Sequence, residues 1–402
     1  MKSCKKNILF AFLLLISALV FAQPVETKTY GIANLEADTI AYYGNSFNTF
    51  KPFFKSFKAM VVGGKKQINI LHIGDSHLQA DLLTGQARKN FQSFLYGLEG
   101  GRGMVTPFMK GCPDSYKLSF SSGWTSMNIL SNSDSQHKSI WGTTVYTTAS
   151  NQSITIKVNY KNPIKYDFNT FRVYHSELKE GESLVVDDMN VGYSKKYNQK
   201  GGYTEFKLSD YVSEITIQIN KNTSSKFYIY GFYFNNNEGG VVYNVTGTNG
   251  VAANHYNSAS LFQTHLASLP TDLVIISLGT NDTYESTDNF ETNLTQLINT
   301  IRNTHKDIPI LLVTPSENWW HKKKPNPRMK ETENIIISVA KKTDCAVMNM
   351  YQILGGAGSA QKMKQKGLMQ SDYVHMTAQG YNLQGDLLYN ALWRDIENNL
   401  SK

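Results

Sequence analysis

The chain has 402 residues, a formal net charge of +8 and three cysteines. The cysteine count excludes a small scaffold held together by disulfides, and the length is sufficient for two domains with real hydrophobic cores. The basic residues are scattered, and the longest basic run, Lys322 to Lys324, is short enough to be a solvated loop. The charge therefore indicates no nucleic-acid partner.

The first predicted element is a leader. A positively charged start precedes an apolar run from Ile8 to Phe21, and the small residue Ala22 follows, which is the layout of a secretory signal peptide. A membrane anchor is the alternative, but the run is shorter than the roughly 20 residues of a spanning helix. Cleavage after Ala22 would remove three lysines and leave a charge of +5. We expect an exported protein, in the periplasm or elsewhere in or outside the cell envelope, with no integral membrane segment after cleavage.

An α/β framework follows. Its first strand is predicted at INILHIG, Ile68 to Gly74, with a helix from about Ala80 to Leu95. An aromatic-rich stretch before this strand, FNTFKPFFKSFKAM, predicts a helix that packs on the framework. Later in the chain, short apolar runs begin at Val241, Leu273 and Pro309, with helical patterns between them. Strands that alternate with helices predict a parallel sheet with right-handed crossovers.

A long block interrupts this framework from roughly Ser115 to Asn237. Segments such as QSITIKVNY and KFYIYGFYF alternate with a period of two, which predicts half-buried antiparallel strands. Several such strands without a helix indicate an inserted all-β domain, a sandwich or jelly roll. Cys112 and Cys345 could pair in an exported protein, but the sequence does not decide whether they do. We therefore predict a signal peptide, a first framework part, the inserted domain and a second framework part at residues 1–22, 23–114, 115–238 and 239–402.

The first candidate for chemistry is GDSH, Gly74 to His77, where a buried strand ends and a helix begins. Ligands of open α/β sheets bind beyond the carboxyl ends of the strands, so Ser76 would face a crevice and the helix N-terminus would offer N–H groups to an anion. The motif also suits plain N-capping, and Asp75 is expected to steady the turn. His77 could bind substrate or support the helix, whereas His72 inside the strand is expected in the core.

The second candidate is SDYVHMTAQGY, in which Asp372 and His375 are three residues apart before a predicted final helix. This spacing allows a carboxylate to hold one imidazole nitrogen while the other nitrogen faces a nucleophile, as serine catalysis requires. A capping aspartate beside a surface histidine is the alternative.

Two further loops could supply donors to an oxyanion. In LGTND, the side chain of Asn281 could donate its amide N–H, or it could simply close an Asx-turn. In GTNG, Gly247 to Gly250, a glycine N–H could approach an oxyanion without obstruction by a side chain. His255, just past this loop, could face the crevice, but the sequence assigns it no task.

Taken together, GDSH, GTNG, GTND and DYVH resemble the successive blocks of the SGNH/GDSL hydrolase superfamily, over residues 68–110 and 240–396. The resemblance implies a flavodoxin-like three-layer α/β fold with a parallel sheet. It also implies a serine esterase with Ser76 as nucleophile, His375 as base and Asp372 as the partner of that base.

The same resemblance implies an oxyanion hole made of the Ser76 backbone N–H, a glycine N–H and the Asn281 side chain. We prefer Gly250 to Gly247 for the glycine, because the family's second block usually reads as a loop glycine a few residues past the strand end.

Within the superfamily, the chain looks most like bacterial peptidoglycan O-acetylesterases. These share a D-x-x-T-G helix start, here Asp81 to Gly85, and a GGRG turn, here Gly100 to Gly103, and they carry a carbohydrate-binding-module-like β domain between the first two blocks. The resemblance implies removal of O-acetyl groups from a cell-envelope glycan, peptidoglycan in the first instance, through an acetyl-enzyme on Ser76. Trp319 and Trp320, which follow a framework strand, could stack on sugar rings or pack in a core.

Several alternatives stay open: an acetylesterase that acts on another polysaccharide, a glycan O-acetyltransferase, a broader lipase or thioesterase, and a glycan-binding protein without catalysis. The sequence has no H-E-x-x-H motif and no His/Cys set with ligand spacing, so we predict no metal. It also has no Walker or dinucleotide-binding glycine loop, so we predict no cofactor. The acyl group, the glycan and the oligomeric state are not fixed by the sequence.

Overall fold

The structure is a computed structural model, and it describes residues 24–63, 67–95, 97–111, 113–158, 161, 164–187 and 191–400. The predicted signal peptide lies outside these residues, and so does Cys112. The other cysteine of the predicted mature chain, Cys345, is buried with a free thiol. Within the described residues, no helix combines the length and the apolarity that a bilayer span requires.

The first framework part positions the Ser76 turn. Its elements are β1 (Ile40–Tyr42), α1 (Ser46–Gly63), β2 (Gln67–Gly74), α2 (Ser76–Gln79), α3 (Leu82–Ser93) and β3 (Gly103–Val105). The helix α1 is the predicted aromatic-rich helix, and Phe50, Phe53, Phe57 and Met60 are buried on one of its faces. Their spacing of three or four residues places them on the same stripe of the helix, which packs on the framework as expected.

The inserted block consists of two antiparallel sheets. Its strands are β4 (Lys117–Phe120), β5 (Trp124–Asn128), β6 (Thr143–Thr147), β7 (Gln152–Lys157), β8 (Phe168–His175), β9 (Ser183–Val186), β10 (Tyr193–Asn198), β11 (Tyr203–Val212), β12 (Glu214–Asn220) and β13 (Phe227–Asn235). One sheet has the order β10-β11-β8-β13-β6-β5, with β3 also paired to β13, and the other has the order β4-β7-β12-β9. Alternate side chains of both sheets, such as Ile154, Phe171 and Ile217, share one core. The predicted all-β insertion is confirmed.

The second framework part completes the parallel sheet. Its elements are β14 (Gly240–Gly247), α4 (Ala253–Asn257), α5 (Phe262–Ser268), β15 (Leu273–Ser277), α6 (Phe290–Thr304), β16 (Ile310–Val313), β17 (Trp319–Trp320), β18 (Lys324–Pro325), α7 (Met329–Lys342), β19 (Ala346–Met348), α8 (Met350–Ile353), α9 (Ser359–Gln365) and α10 (Ala378–Leu400). The strand order is β1-β19-β16-β15-β2-β14. The pairs from β19 to β14 are parallel, and β1 joins the edge in the antiparallel direction.

Helices cover both faces of this sheet. Along β2, Ile68 and Ile70 pack in one core with α1, α3 and α10, whereas Leu71 and Ile73 pack in a second core with α5, α6 and α7. Because successive side chains of a strand point to opposite faces, this division defines three layers. The predicted three-layer α/β fold with a parallel sheet is confirmed. Its carboxyl edge collects the loops after β2, β14 and β15.

A buried charge network joins the framework to the start of the insertion. The Asp81 carboxylate accepts hydrogen bonds from the guanidinium of Arg88 at 2.7 and 2.8 Å and lies 3.5 Å from Arg102. Arg102 in turn donates to the hydroxyl of Ser115, where the insertion begins, at 2.9 Å. The D-x-x-T-G and GGRG motifs thus meet inside the protein. Full burial makes the loss of any one partner costly, because the remaining charge would be left uncompensated.

Candidate active site

Three side chains from opposite ends of the chain form one hydrogen-bonded row at the carboxyl edge of the sheet. The Ser76 Oγ lies 2.9 Å from Nε2 of His375, and Nδ1 of His375 lies 2.7 Å from Oδ2 of Asp372. All three side chains are partly exposed, so the row is open to a substrate. The structure therefore brings together the nucleophile, base and acid that the sequence predicted, in the order that serine catalysis uses.

The turn that carries Asp372 and His375 is held by its own hydrogen bonds. The Oδ1 atom of Asp372 accepts the backbone N–H groups of Val374 and His375, each at 3.0 Å. Burial acts to raise the pKa of Asp372, but the hydrogen bonds from the His375 ring and from these N–H groups outweigh it and lower the pKa below its usual value. The carboxylate is consequently ionised at neutral pH and can fix the orientation of the imidazole.

The sharp turn after β2 explains the glycine before Ser76. A Cβ atom at Gly74 would lie 2.5 Å from the side chain of Leu78 and 2.9 Å from the carbonyl oxygen of Ser277, so a larger residue does not fit. Asp75 then caps α2, because its Oδ1 accepts the N–H of His77 at 3.0 Å. The chain thereby presents Ser76 as the first residue of a helical turn, directly beyond the strand end.

Burial raises the pKa of Asp75 to about 7. A folded-state pKa above the unfolded value of about 3.9 means that this group stabilises the protein below about pH 4, and that the contribution is lost as the pH rises towards 7. Asp75→Asn cannot ionise, yet its side-chain oxygen can still accept the His77 N–H. We expect the unfolding free energy of the original protein, relative to this variant, to fall by about 1 kcal/mol or more between pH 4.5 and 7.5 in urea titrations. Parallel pH profiles for the two proteins would contradict this expectation.

The two loops predicted to supply oxyanion donors are tied to each other. The side-chain amide of Asn281 donates to the carbonyl oxygen of Val251 at 2.8 Å, which leaves its second N–H available. Asp282 accepts the N–H of Ala253 at 2.8 Å and that of Gly279 at 3.0 Å. These bonds hold the loop after β15 against the loop after β14. Asp282 directly follows Asn281, so no separate sequence pattern marks it as a residue that ties these loops together.

The two candidate glycines occupy different environments. Gly250 is exposed and has a φ of +79°, and among the described residues no acceptor receives its N–H. Gly247 ends β14, and a Cβ atom there would lie 2.6 Å from the carbonyl oxygen of Asp75, so this glycine allows the strand to pack on the Ser76 turn. Between them, the N–H of Asn249 donates to the Gln79 side chain at 2.7 Å. The preference for Gly250 as donor stays a prediction.

The neighbouring histidines differ in role. His77 places Nδ1 3.0 Å from the hydroxyl of Tyr381, and its ring centre lies 5.4 Å from that of His375. Burial and the proximity of His375 lower the pKa of His77 to about 3, so its ring is neutral and suited to support or polar contact. His72 is fully buried between Tyr243 and Ser277, as expected for a core histidine.

Trp319 and Trp320 form the strand β17 beside the Asp372 turn. The Trp319 ring stacks on Tyr373 with ring centres 4.0 Å apart, and its backbone N–H donates to the Tyr373 carbonyl at 2.9 Å. The indole N–H of Trp320 donates to Glu285 at 3.2 Å. Trp319 therefore supports the turn that carries Asp372, whereas the role of Trp320 in substrate binding stays a prediction.

The insertion also reaches the site, which the sequence did not predict. Its β5–β6 loop is anchored on the framework, because Leu261 donates its N–H to the carbonyl of Lys138 at 2.9 Å. At the start of this loop, the Leu130 side chain lies 3.2 Å from the position of a Cβ atom on Gly250. Leu130 therefore packs against the loop that carries Gly250, the candidate oxyanion donor. No local motif marks it, since only the tertiary fold brings the insertion over Gly250.

The described residues contain no group of three or more His, Cys, Asp or Glu side chains arranged to hold a metal ion. His255, the remaining histidine near the site, accepts the N–H of Ala252 at 2.9 Å and so begins α4.

Comparisons with known proteins agree with this geometry. Residues 229–383 match the GDSL-like Lipase/Acylhydrolase family, a range that includes Gly250, Asn281, Asp372 and His375. Among solved structures, a peptidoglycan O-acetylesterase is similar with a TM-score of 0.76 and 23% identity, over 89% of this chain and 99% of that one. This similarity extends over both the framework and the insertion. No curated protein sequence matches the chain.

Two smaller enzymes are similar to part of the chain. A lipase/acylhydrolase from Enterococcus faecalis matches 40% of this chain and 77% of its own, with a TM-score of 0.31 and 20% identity. An acetylxylan esterase from Geobacillus stearothermophilus matches 39% of this chain and 73% of its own, with a TM-score of 0.31 and 18% identity.

Proposed function

We propose that the chain is a carboxylic ester hydrolase of the SGNH/GDSL type, and that it removes O-acetyl groups from peptidoglycan through an acetyl-enzyme on Ser76. The observation that carries the proposal is the row of Ser76, His375 and Asp372, with contacts of 2.9 and 2.7 Å. We further propose that the protein is exported after cleavage of its leader, because such a substrate lies in the cell envelope.

In the first half of the reaction, the imidazole of His375 keeps its Nδ1–H hydrogen-bonded to the Asp372 carboxylate and accepts the Ser76 hydroxyl proton at Nε2. The Ser76 oxygen forms a bond to the acetyl carbonyl carbon, and the carbonyl electron pair moves to its oxygen. The resulting oxyanion is stabilised by the Ser76 and Gly250 backbone N–H groups and by the free N–H of Asn281. Collapse of this intermediate expels the sugar oxygen, which takes the proton from His375.

In the second half, water replaces the sugar. His375 accepts one proton of the water, the hydroxyl oxygen attacks the acetyl carbon, and the same donors stabilise the second oxyanion. The bond to Ser76 then breaks, Ser76 regains its proton from His375, and acetate leaves. No step needs a group beyond those that the chain supplies, apart from water and substrate.

Two observations support a polymeric glycan over a small ester. The similarity to a peptidoglycan O-acetylesterase extends over nearly the whole chain, the insertion included. In addition, the insertion contributes Leu130 to the rim of the site, so a ligand that extends from Ser76 towards Gly250 would contact both parts of the protein. A short acetyl ester would use neither feature.

The test is acetate release from O-acetylated peptidoglycan compared with acetylated xylan at equal ester concentration. We expect kcat/KM on peptidoglycan to exceed that on xylan by at least about tenfold, which corresponds to about 1.4 kcal/mol of extra transition-state binding. The Ser76→Ala protein serves as the blank for spontaneous hydrolysis. Higher activity on xylan would point instead to the degradation of another polysaccharide, and activity on neither would favour a glycan-binding protein.

A further inference from the structure

A short hairpin beside the active site presents three lysines. It comprises β17, β18 and the turn between them, residues 319–325, and we call it the lysine hairpin. Its base is closed by Asn318 and Asn326, both buried, through an N–H to carbonyl bond of 2.9 Å and a bond of 3.1 Å between the two side chains. These bonds hold the hairpin in one position, whereas the run of lysines in the sequence predicted only a solvated loop.

The lysine hairpin contacts two of the loops that form the candidate site, the turn that carries Asp372 and the loop that carries Asn281. On one side, Trp319 stacks on Tyr373, which directly follows Asp372. On the other side, the N–H of His321 donates to the Tyr284 hydroxyl at 2.7 Å, and Tyr284 lies three residues after Asn281. A ligand seated over Ser76 and reaching towards the Asp372 side would therefore meet the hairpin.

The charge of the hairpin is not compensated locally. Lys322, Lys323 and Lys324 are exposed, and within the described part of the chain no carboxylate lies at ion-pair distance from any of them. The adjacent acid, Glu285, pairs with His321 at 3.1 Å and accepts the indole N–H of Trp320.

The Trp320 ring adds to this arrangement. The Lys324 ammonium lies 5.3 Å and the Arg328 guanidinium 5.5 Å from the centre of the ring. Cations at these distances are attracted by the ring face. The Trp320 ring therefore holds the cations of Lys324 and Arg328 beside the active site, and these contacts compete with stacking of the ring on a sugar.

We propose that the lysine hairpin binds carboxylates of an acidic acetylated glycan and so selects acidic strands over neutral ones. The inference rests on the proposed function and refines its substrate class. Peptidoglycan fits because its strands carry carboxylates on sugars and peptides, spaced along the polymer. Each exposed ion pair contributes little, but three adjacent ammonium groups that face several carboxylates act together.

The test uses one glycan in two charge states. Soluble O-acetylated peptidoglycan fragments are assayed as prepared and after carbodiimide coupling of their carboxylates to ethanolamine, which neutralises the charge and leaves the acetyl esters in place. The readout is the ratio of kcat/KM on the acidic to the neutral form. We expect this ratio to exceed one for the original protein and to fall about three- to tenfold in the variant Lys322→Gln/Lys323→Gln/Lys324→Gln. The loss should lie mainly in KM.

The matched control removes the same charge elsewhere. Lys51, Lys55 and Lys58 lie on α1, which packs through Phe57 on Trp393 in the second half of α10, away from the Asp372 turn. Their triple change to glutamine should leave the ratio as in the original protein. High salt should also reduce the ratio of the original protein, because at 0.5 M the screening length is only about 4 Å.

Three outcomes would overturn the inference. An unchanged ratio in the hairpin variant, with kcat/KM on each glycan form also unchanged, would show that the lysines do not bind carboxylates. An equal fall in the α1 control would assign the effect to overall charge. Equal losses on both glycan forms would show that the hairpin only supports the neighbouring loops. No acetate release from either form by the original protein would instead overturn the proposed function, and the inference with it.

Discussion

Ser76→Ala should abolish hydrolysis of a chromogenic acetate ester, with kcat reduced by about 10⁴-fold or more. The Ser76 Oγ is the only atom of the row in position to form the acyl bond, and His375, at 2.9 Å, has no other hydroxyl partner in the described structure. The activity that survives should be the small rate enhancement from oxyanion donors and binding. Steady-state rates on 4-nitrophenyl acetate measure this directly.

The control for Ser76→Ala is Ser258→Ala. Ser258 is exposed, and among the described residues its hydroxyl donates only to the His255 carbonyl, at 3.0 Å. This variant should keep the original rate, and both variants should unfold at the same urea concentration as the original protein. A Ser76→Ala protein that keeps more than a tenth of the activity would exclude an acyl-enzyme on this residue.

The sequence was sufficient to predict the framework because its strands are short apolar runs with clear boundaries. The same holds for the insertion, where alternation such as that of Ile154 and Ile156 marks a half-buried strand. The shortest elements were missed. The strands β1 and β19 each span only three residues, too few to show any periodicity, and their pairing depends on the tertiary fold.

The meeting of Ser76 and Asn281 was predictable for a topological reason. Parallel strands place their carboxyl ends at one edge, so residues that follow those strands meet there. Contacts between the insertion and the site were not predictable in this way. Leu130 lies on a loop without a motif, and its approach to Gly250 depends on how the insertion packs against the framework.

The contacts that support the turn carrying Asp372 could not be predicted from the sequence either. A pair of adjacent tryptophans has the same appearance whether it binds sugar or packs against the fold. The structure distinguishes the two residues, because Trp319 stacks on Tyr373 whereas the indole N–H of Trp320 donates to Glu285. Sequence patterns predict which residues reach an edge, but not which neighbours they find there.

Asp372→Asn should lower kcat about 10⁴-fold, the loss that the same change causes in a serine protease with this triad. The Oδ1 position must remain an acceptor, because it receives the N–H groups of Val374 and His375. The amide nitrogen therefore takes the Oδ2 position and donates to Nδ1 of His375. That ring must then carry its proton on Nε2, where it faces Ser76 and cannot accept the hydroxyl proton.

The exchange therefore leaves the turn intact while it inverts the tautomer of the base. The measurement is kcat on 4-nitrophenyl acetate from pH 6 to 10, together with urea unfolding, and Asp288→Asn in an exposed loop serves as the matched control. Because a hydroxide ion needs no general base, the Asp372→Asn rate should rise with pH across this range, and more steeply than the rate of the original protein. A loss smaller than about tenfold at pH 7 would mean that another group orients His375, since one hydrogen bond to a neutral partner contributes only about 1 kcal/mol.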